Sequence, residues 1–224
     1  MRTHLVPVDP LLFEPGDRLA LADFLARWER MPSLKFAELV DGVVHVPSPL
    51  SYEHGRRDGL AQLVLGTYAA RTGVCELVSN ATWVMLDSAP QPDVALRLLP
   101  EYGGGTTVEG KLAAGAPELI VEICQSRRCF DLGPKLALYQ QAGVSEFAAV
   151  LLEERRIEWR VLEGREYRLH APGEALVYQS AVFPGLWLDE GAFWLAEPRR
   201  LLAVLEDGLR SPACQRFLDR VRAR

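Results

Sequence analysis

The constraint that weighs most on this chain is a glutamate in the middle of an apolar run. In Glu118-Leu119-Ile120-Val121-Glu122-Ile123-Cys124, residues Leu119, Val121 and Ile123 alternate with Glu118, Ile120, Glu122 and Cys124. That is the period of a β-strand with one greasy face and one face that includes Glu122. A carboxylate set among so much apolar sequence is costly to bury unless something positive meets it. Upstream, Gln91-Pro92-Asp93-Val94 opens a second apolar run with a second carboxylate, and Lys135 follows a little downstream. Two carboxylates aimed at one place repel each other, and a divalent cation relieves them. These residues lead us to expect a metal-dependent phosphodiesterase site.

The bulk numbers permit such a site. A chain of 224 residues, 49% hydrophobic and 25% charged, is an ordinary globular composition with enough length for one good core. No stretch approaches the ~18 unbroken apolar residues of a membrane span, and the N-terminus lacks a signal-peptide layout, so the expected location is cytoplasmic. Cys75, Cys124, Cys129 and Cys214 form no C-x-x-C pair and have no histidine at zinc-ligand spacing, so they read as reduced thiols. The net charge of −5 argues against non-specific coating of nucleic acid but permits an enzyme with a local groove. Only Lys35, Lys111 and Lys135 among the 25 basic residues are lysine, which gives the last of them extra interest beside the Glu122 strand.

Along the chain, a Pro-rich start leads into an amphipathic helix over Leu19 to Met31. Residues 36–46 predict a hairpin turning at Asp41-Gly42. Ser51 caps a long helix that Gly73 stops near Thr72. Strands are expected over Val74 to Leu86, Asp93 to Leu99, the Glu122 run, Glu146 to Leu152, Arg156 to Leu162, Glu166 to His170 and Leu176 to Phe183. Pro100 to Gly115, with Gly103-Gly104-Gly105 at its middle, reads as a loop; it lacks the Gly-Lys-Ser/Thr ending of a phosphate loop. Asp131 caps a helix to Ala142, with Pro134 in its first turn. From Glu197 the chain turns helical again, and Ser211-Pro212 starts a last helix with Phe217, Leu218 and Val221 on one side. The order of elements predicts a mixed α/β (α+β) core rather than a doubly wound parallel sheet.

Hydrolysing a phosphodiester needs an activated water and cover for charge on the phosphoryl oxygens, and a divalent metal supplies both. Magnesium takes a few carboxylate oxygens and fills its octahedron with water and substrate. Asp93, Glu122 and a main-chain carbonyl such as that of Ile123 meet that demand. Lys135, from the next helix, is placed to orient the water or stabilise transition-state charge. The bland reading is that Asp93 only starts a strand and Glu122 pairs with an arginine.

Pro-Asp followed by an apolar strand carrying Glu resembles the PD-(D/E)xK nuclease superfamily, and more specifically its Uma-two family of restriction-type endonucleases. The residues that carry the likeness are Ala37-Glu38-Leu39-Val40-Asp41-Gly42, Ser48-Pro49 with His54, and Gln91-Pro92-Asp93-Val94. They continue through Pro117-Glu118 to Ile123, Asp131-Leu132 with Lys135, Leu138-Tyr139, Ala142-Gly143-Val144 with Glu146-Phe147, and Phe183-Pro184-Gly185-Leu186. The resemblance implies a restriction-endonuclease-like four-stranded mixed sheet flanked by helices, here with added C-terminal strands and helices. It implies Mg²⁺ (or Mn²⁺) at Asp93 and Glu122, and an earlier acidic residue, for which Glu38 is the candidate. The expected division is a nuclease-like domain, 1–190, and a helical extension, 191–224, packed by its apolar side on the core or on a dimer partner.

Two departures stand out. The superfamily's usual lysine place, two residues after the glutamate, is Cys124, which moves the candidate amine to Lys135. Relatives often read Ser-Pro where this chain has Cys124-Gln125-Ser126-Arg127-Arg128, with two arginines that bind phosphate or are simply solvated. For His54 a capping or surface role competes with a place near the site. The expected activity is that of a Mg²⁺-dependent endonuclease on nucleic acid, DNA first, acting as a homodimer and with no membrane role. The alternatives are a catalytically silent nuclease-fold module that binds nucleic acid or a protein partner, and a hydrolase of small phosphoesters.

Overall fold

The hairpin expected at Asp41-Gly42 forms in the computed structural model, which describes residues 13–47, 49–125 and 132–224. Helix α1 (Leu21–Glu29) precedes strands β1 (Glu38–Val40) and β2 (Val43–His45), which pair antiparallel around the turn. Asp41 and Gly42 both have positive φ, 50° and 71°, as a two-residue turn matched to strand twist requires. Helix α2 (Tyr52–Thr72) is capped by Ser51, whose side chain accepts from the His54 N–H, and ends at Gly73 in the left-handed region.

The run over Val74 to Leu86 is two strands rather than one. β3 (Cys75–Ser79) and β4 (Trp83–Val84) separate at Asn80, whose φ of 50° turns the chain out of the first sheet. β5 (Val94–Leu98) returns. The stretch expected as a loop contains a hairpin, β6 (Thr107–Glu109) and β7 (Leu112–Ala114), which joins β4 in a three-stranded sheet. β8 (Leu119–Cys124), helix α3 (Pro134–Ala142), β9 (Glu146–Leu151), β10 (Arg156–Glu163) and β11 (Glu166–His170) follow. The strand expected over Leu176 to Phe183 is only β12 (Val177–Gln179), paired with β13 (Trp187–Asp189). Helices α4 (Glu190–Leu195), α5 (Pro198–Leu209) and α6 (Pro212–Arg222) end the chain. The Asp131 cap, Cys129 and the Arg127-Arg128 pair lie outside the described residues.

The main sheet has six strands, not four, in the order β11-β10-β9-β8-β5-β3. β8 pairs antiparallel with β5 and parallel with β9, while β10 and β11 continue antiparallel. The parallel step requires a crossover, and α3 is its helix. Both faces of β8 are covered, so the face bearing Glu122 does not look into solvent. Leu119, Val121 and Ile123 pack with Ala61, Val64, Leu65 and Tyr68 of α2 and with Leu201, Leu205, Phe217 and Val221 of α5 and α6. Ile120 and Cys124, on the other face, pack with Leu138 and Tyr139 of α3, Trp83, Met85 and Phe147. Period-two alternation thus divides one strand between two cores. A smaller cluster, Phe24, Ala37, Leu39, Val44 and Ala89 among it, fixes α1 and the first hairpin alongside.

Candidate active site

Antiparallel pairing of Val94 with Val121 brings Asp93 beside Glu122, at the point where β5 and β8 stop exchanging ladder bonds. The Asp93 carboxylate takes over part of the ladder: its Oδ2 accepts the Ile123 N–H at 2.7 Å. In return the Asp93 N–H approaches Glu122 Oε2 at 3.3 Å. The two acids are therefore held against each other's strand, and both line one cleft of about 700 Å³.

Lys135 comes from the first turn of α3. Its Nζ lies 2.6 Å from Glu122 Oε1 and 2.9 Å from Glu38 Oε1, and only 2% of its side chain is exposed. Glu38 sits on β1, where the Gln91 N–H donates to the same Oε1 at 2.6 Å. Gln91 binds back, since its Oε1 accepts the Ala37 N–H and its Nε2 donates to Thr82 Oγ1. Hairpin, Pro-Asp segment, β8 and α3 thus meet through charge-assisted contacts. Cys124, in the usual lysine place, is fully buried among apolar side chains, where an ammonium would find no water. The amine arrives instead from α3.

His54 lies in the first turn of α2, and its Nε2 is 3.3 Å from Asp93 Oδ2. The capping role falls to Ser51, while the imidazole faces the acid. Four residues on, the Asp58 carboxyl is pushed up from its ordinary value by burial, with the Asp93 charge adding to the shift and Gln62 and His54 opposing it. On β2, burial lowers His45, cross-strand from Glu38.

Tyr139 was not among the sequence candidates. It lies four residues after Lys135 on the same helix face, and its hydroxyl donates to Glu122 Oε1 at 2.7 Å. Burial, then the Glu122 charge, push its phenol well above the ordinary value, so it stays a donor. The i, i+4 spacing from Lys135 was the available signal. Gln91 was visible only as part of the Pro-Asp motif.

Glu38, Asp93 and Glu122 set three carboxylates against the Lys135 ammonium and a histidine, an excess of negative charge that suits a bound cation. Among the described residues no three His, Cys, Asp or Glu side chains converge as a ready-made cage. The oxygens on offer to a cation in this cleft are those of Asp93 and Glu122, with Ile123 beside them in the lining. Among the described residues the hydrogen bond and the ion pair of the Asp93 carboxylate both fall on Oδ2, and Asp93 lines the cleft. Such a hard, oxygen-only and incomplete set fits Mg²⁺ or Mn²⁺, which keep several waters and substrate oxygens.

Residues 21–191 match the family described as "Uma2: Putative restriction endonuclease". Among solved structures, the chain is similar to a crystal structure of "a putative nuclease belonging to DUF820" from Anabaena variabilis ATCC 29413. The TM-score is 0.59 at 12% identity, over 84% of this chain and 99% of that one, a likeness of fold. No curated protein matches the chain.

Proposed function

The chain belongs to the Uma2 family, and from that premise we propose that it is a metal-dependent endonuclease that hydrolyses phosphodiester bonds, with DNA the expected substrate. Asp93 and Glu122 would hold a divalent cation, Mg²⁺ or Mn²⁺, with the Ile123 carbonyl as a third oxygen. Bound there, the cation would acidify a water and draw charge from the phosphoryl oxygens. Lys135 holds a proton on Nζ at the edge of the carboxylate pair, where it can orient the attacking water or meet charge on the phosphate. Glu38 holds that ammonium from the other side, and the Gln91 N–H fixes Glu38. Tyr139 keeps Glu122 in one rotamer, its hydroxyl being the donor. His54 braces Asp93 from α2.

The observation that carries this reading is the convergence of Asp93, Glu122 and Lys135, from three separate segments, on one cleft. Two acids and an amine brought together at such electrostatic cost point to chemistry rather than to packing. The test is cleavage of plasmid and oligonucleotide DNA by Asp93→Ala and Glu122→Ala. Both variants should lose Mg²⁺-dependent cleavage and keep the wild-type circular dichroism spectrum. Undiminished cleavage by either one refutes the assignment.

A further inference from the structure

Besides its acidic floor, the same cleft has an apolar wall of Phe36, Pro47, Pro49 and Leu50. Phe36 is 45% exposed and Leu50 61%, and neither belongs to an apolar cluster of the fold. Two residues beyond Leu50, Tyr52 opens α2 with 86% of its surface exposed. Large apolar groups left in water beside three carboxylates are unfavourable for the free protein unless a ligand covers them. The positive end of the α2 dipole reaches this rim, because Ser51 and His54 line the cleft too.

A space of about 700 Å³ takes a group of nucleotide size. A base stacked inside a duplex has both faces covered, so it cannot touch the wall while its phosphate reaches the floor. An unpaired nucleotide can do both, since a free base stacks on an aromatic ring whatever its sequence.

Resting on the nuclease reading above, we propose that the substrate enters as an unpaired strand, one base packed on Phe36 and Leu50 with its phosphate over Asp93 and Glu122. Because the wall reads a π-face and not a base edge, selection is for strandedness rather than for sequence.

The test is fluorescence anisotropy with the full chain in Ca²⁺, using a labelled single-stranded DNA oligonucleotide and a blunt duplex of the same sequence. The single strand should bind at least about tenfold tighter than the duplex. Phe36→Ala and Leu50→Ala should each weaken single-strand binding by about tenfold, and Phe36→Trp should keep it. Both side chains are exposed, so truncation leaves the core intact. Equal or tighter binding of the duplex, or unchanged single-strand binding by both alanine variants, overturns the proposal. Cleavage assays in Mg²⁺ and Mn²⁺ separate it from the nuclease reading. A duplex cut without preference for the unpaired strand sinks the wall and leaves the nuclease. Wall-dependent binding with no cleavage in either metal does the reverse.

Discussion

Two glutamates lie buried in neighbouring strands of the same sheet, and they have different surroundings. Glu122 on β8 and Glu146 on β9 are 2% and 0% exposed. Glu146 accepts from two neutral donors, the Ser180 hydroxyl and the Ala181 N–H at 2.7 Å. Ser180 in turn accepts the Phe183 N–H, so this carboxylate ties the chain after β12 to the sheet. Glu122 takes an ammonium and a phenol on one oxygen and turns the other toward Asp93 and a cleft. Burial alone does not mark a functional acid. Its partners do, together with whether the group meets open space.

The comparison breaks first on activity. Glu122→Gln should lower cleavage by about 10³-fold, some 4 kcal/mol of transition-state stabilisation, while Glu146→Gln leaves the rate untouched. Gel assays at a temperature where both variants are folded would check this. Equal losses would erase the distinction.

Stability sharpens it next. Lys135→Met leaves Glu38 and Glu122 buried without their shared ammonium, which should cost about 3 kcal/mol in EDTA. Part of that loss should return on adding Mg²⁺, as it does for any ligand that binds only the folded state. Denaturant titration with and without the ion measures both.

At the other site, Glu146→Ala should cost about 2 kcal/mol, because Ser180 and Ala181 lose their acceptor. This site also has a pH signature. Burial raises the folded-state value of Glu146 above the ordinary 4.5, with Ser180 and Ala181 pulling it partly back. The folded chain therefore holds this proton more tightly than the unfolded one. The stability that this contributes is complete below the ordinary value and fades as pH rises through the raised folded one. The stability difference between wild type and Glu146→Gln should move in favour of the wild type as pH falls through that window. A gap that stays constant there would contradict it.

The smallest effect expected is that of Tyr139→Phe, about tenfold in cleavage and about 1 kcal/mol in stability. It removes one donor from Glu122 and keeps the ring's packing on Phe147.

The same pair of glutamates shows how far sequence reading reaches. Glu122 drew notice as an acid inside Leu-Ile-Val…Ile-Cys, and the period-two pattern placed its strand within a residue. Glu146 sits at the head of an equally apolar run, and nothing local separates the two. The α2 cap at Ser51, its stop at Gly73 and the Asp41-Gly42 turn were legible because each is decided by neighbours in sequence. The β6–β7 hairpin was not. Its three-residue strands exist by pairing with each other and, through β7, with Trp83 and Val84, while the glycines ahead of it dominate the composition. Asp93, Glu122, Lys135 and Glu38 could be named one by one as charged residues at odd places. Tyr139, Gln91 and the His54–Asp93 contact depend on how α2, α3 and the first hairpin dock, which pairing and helix packing decide at long range.

The most direct measurement is a Mn²⁺-soaked crystal examined at the manganese absorption edge. The account predicts an anomalous peak between the Asp93 and Glu122 carboxylates, with Lys135 still beside it. No peak in that cleft, or one held by other side chains while Glu122 stays paired with Lys135 alone, would contradict it.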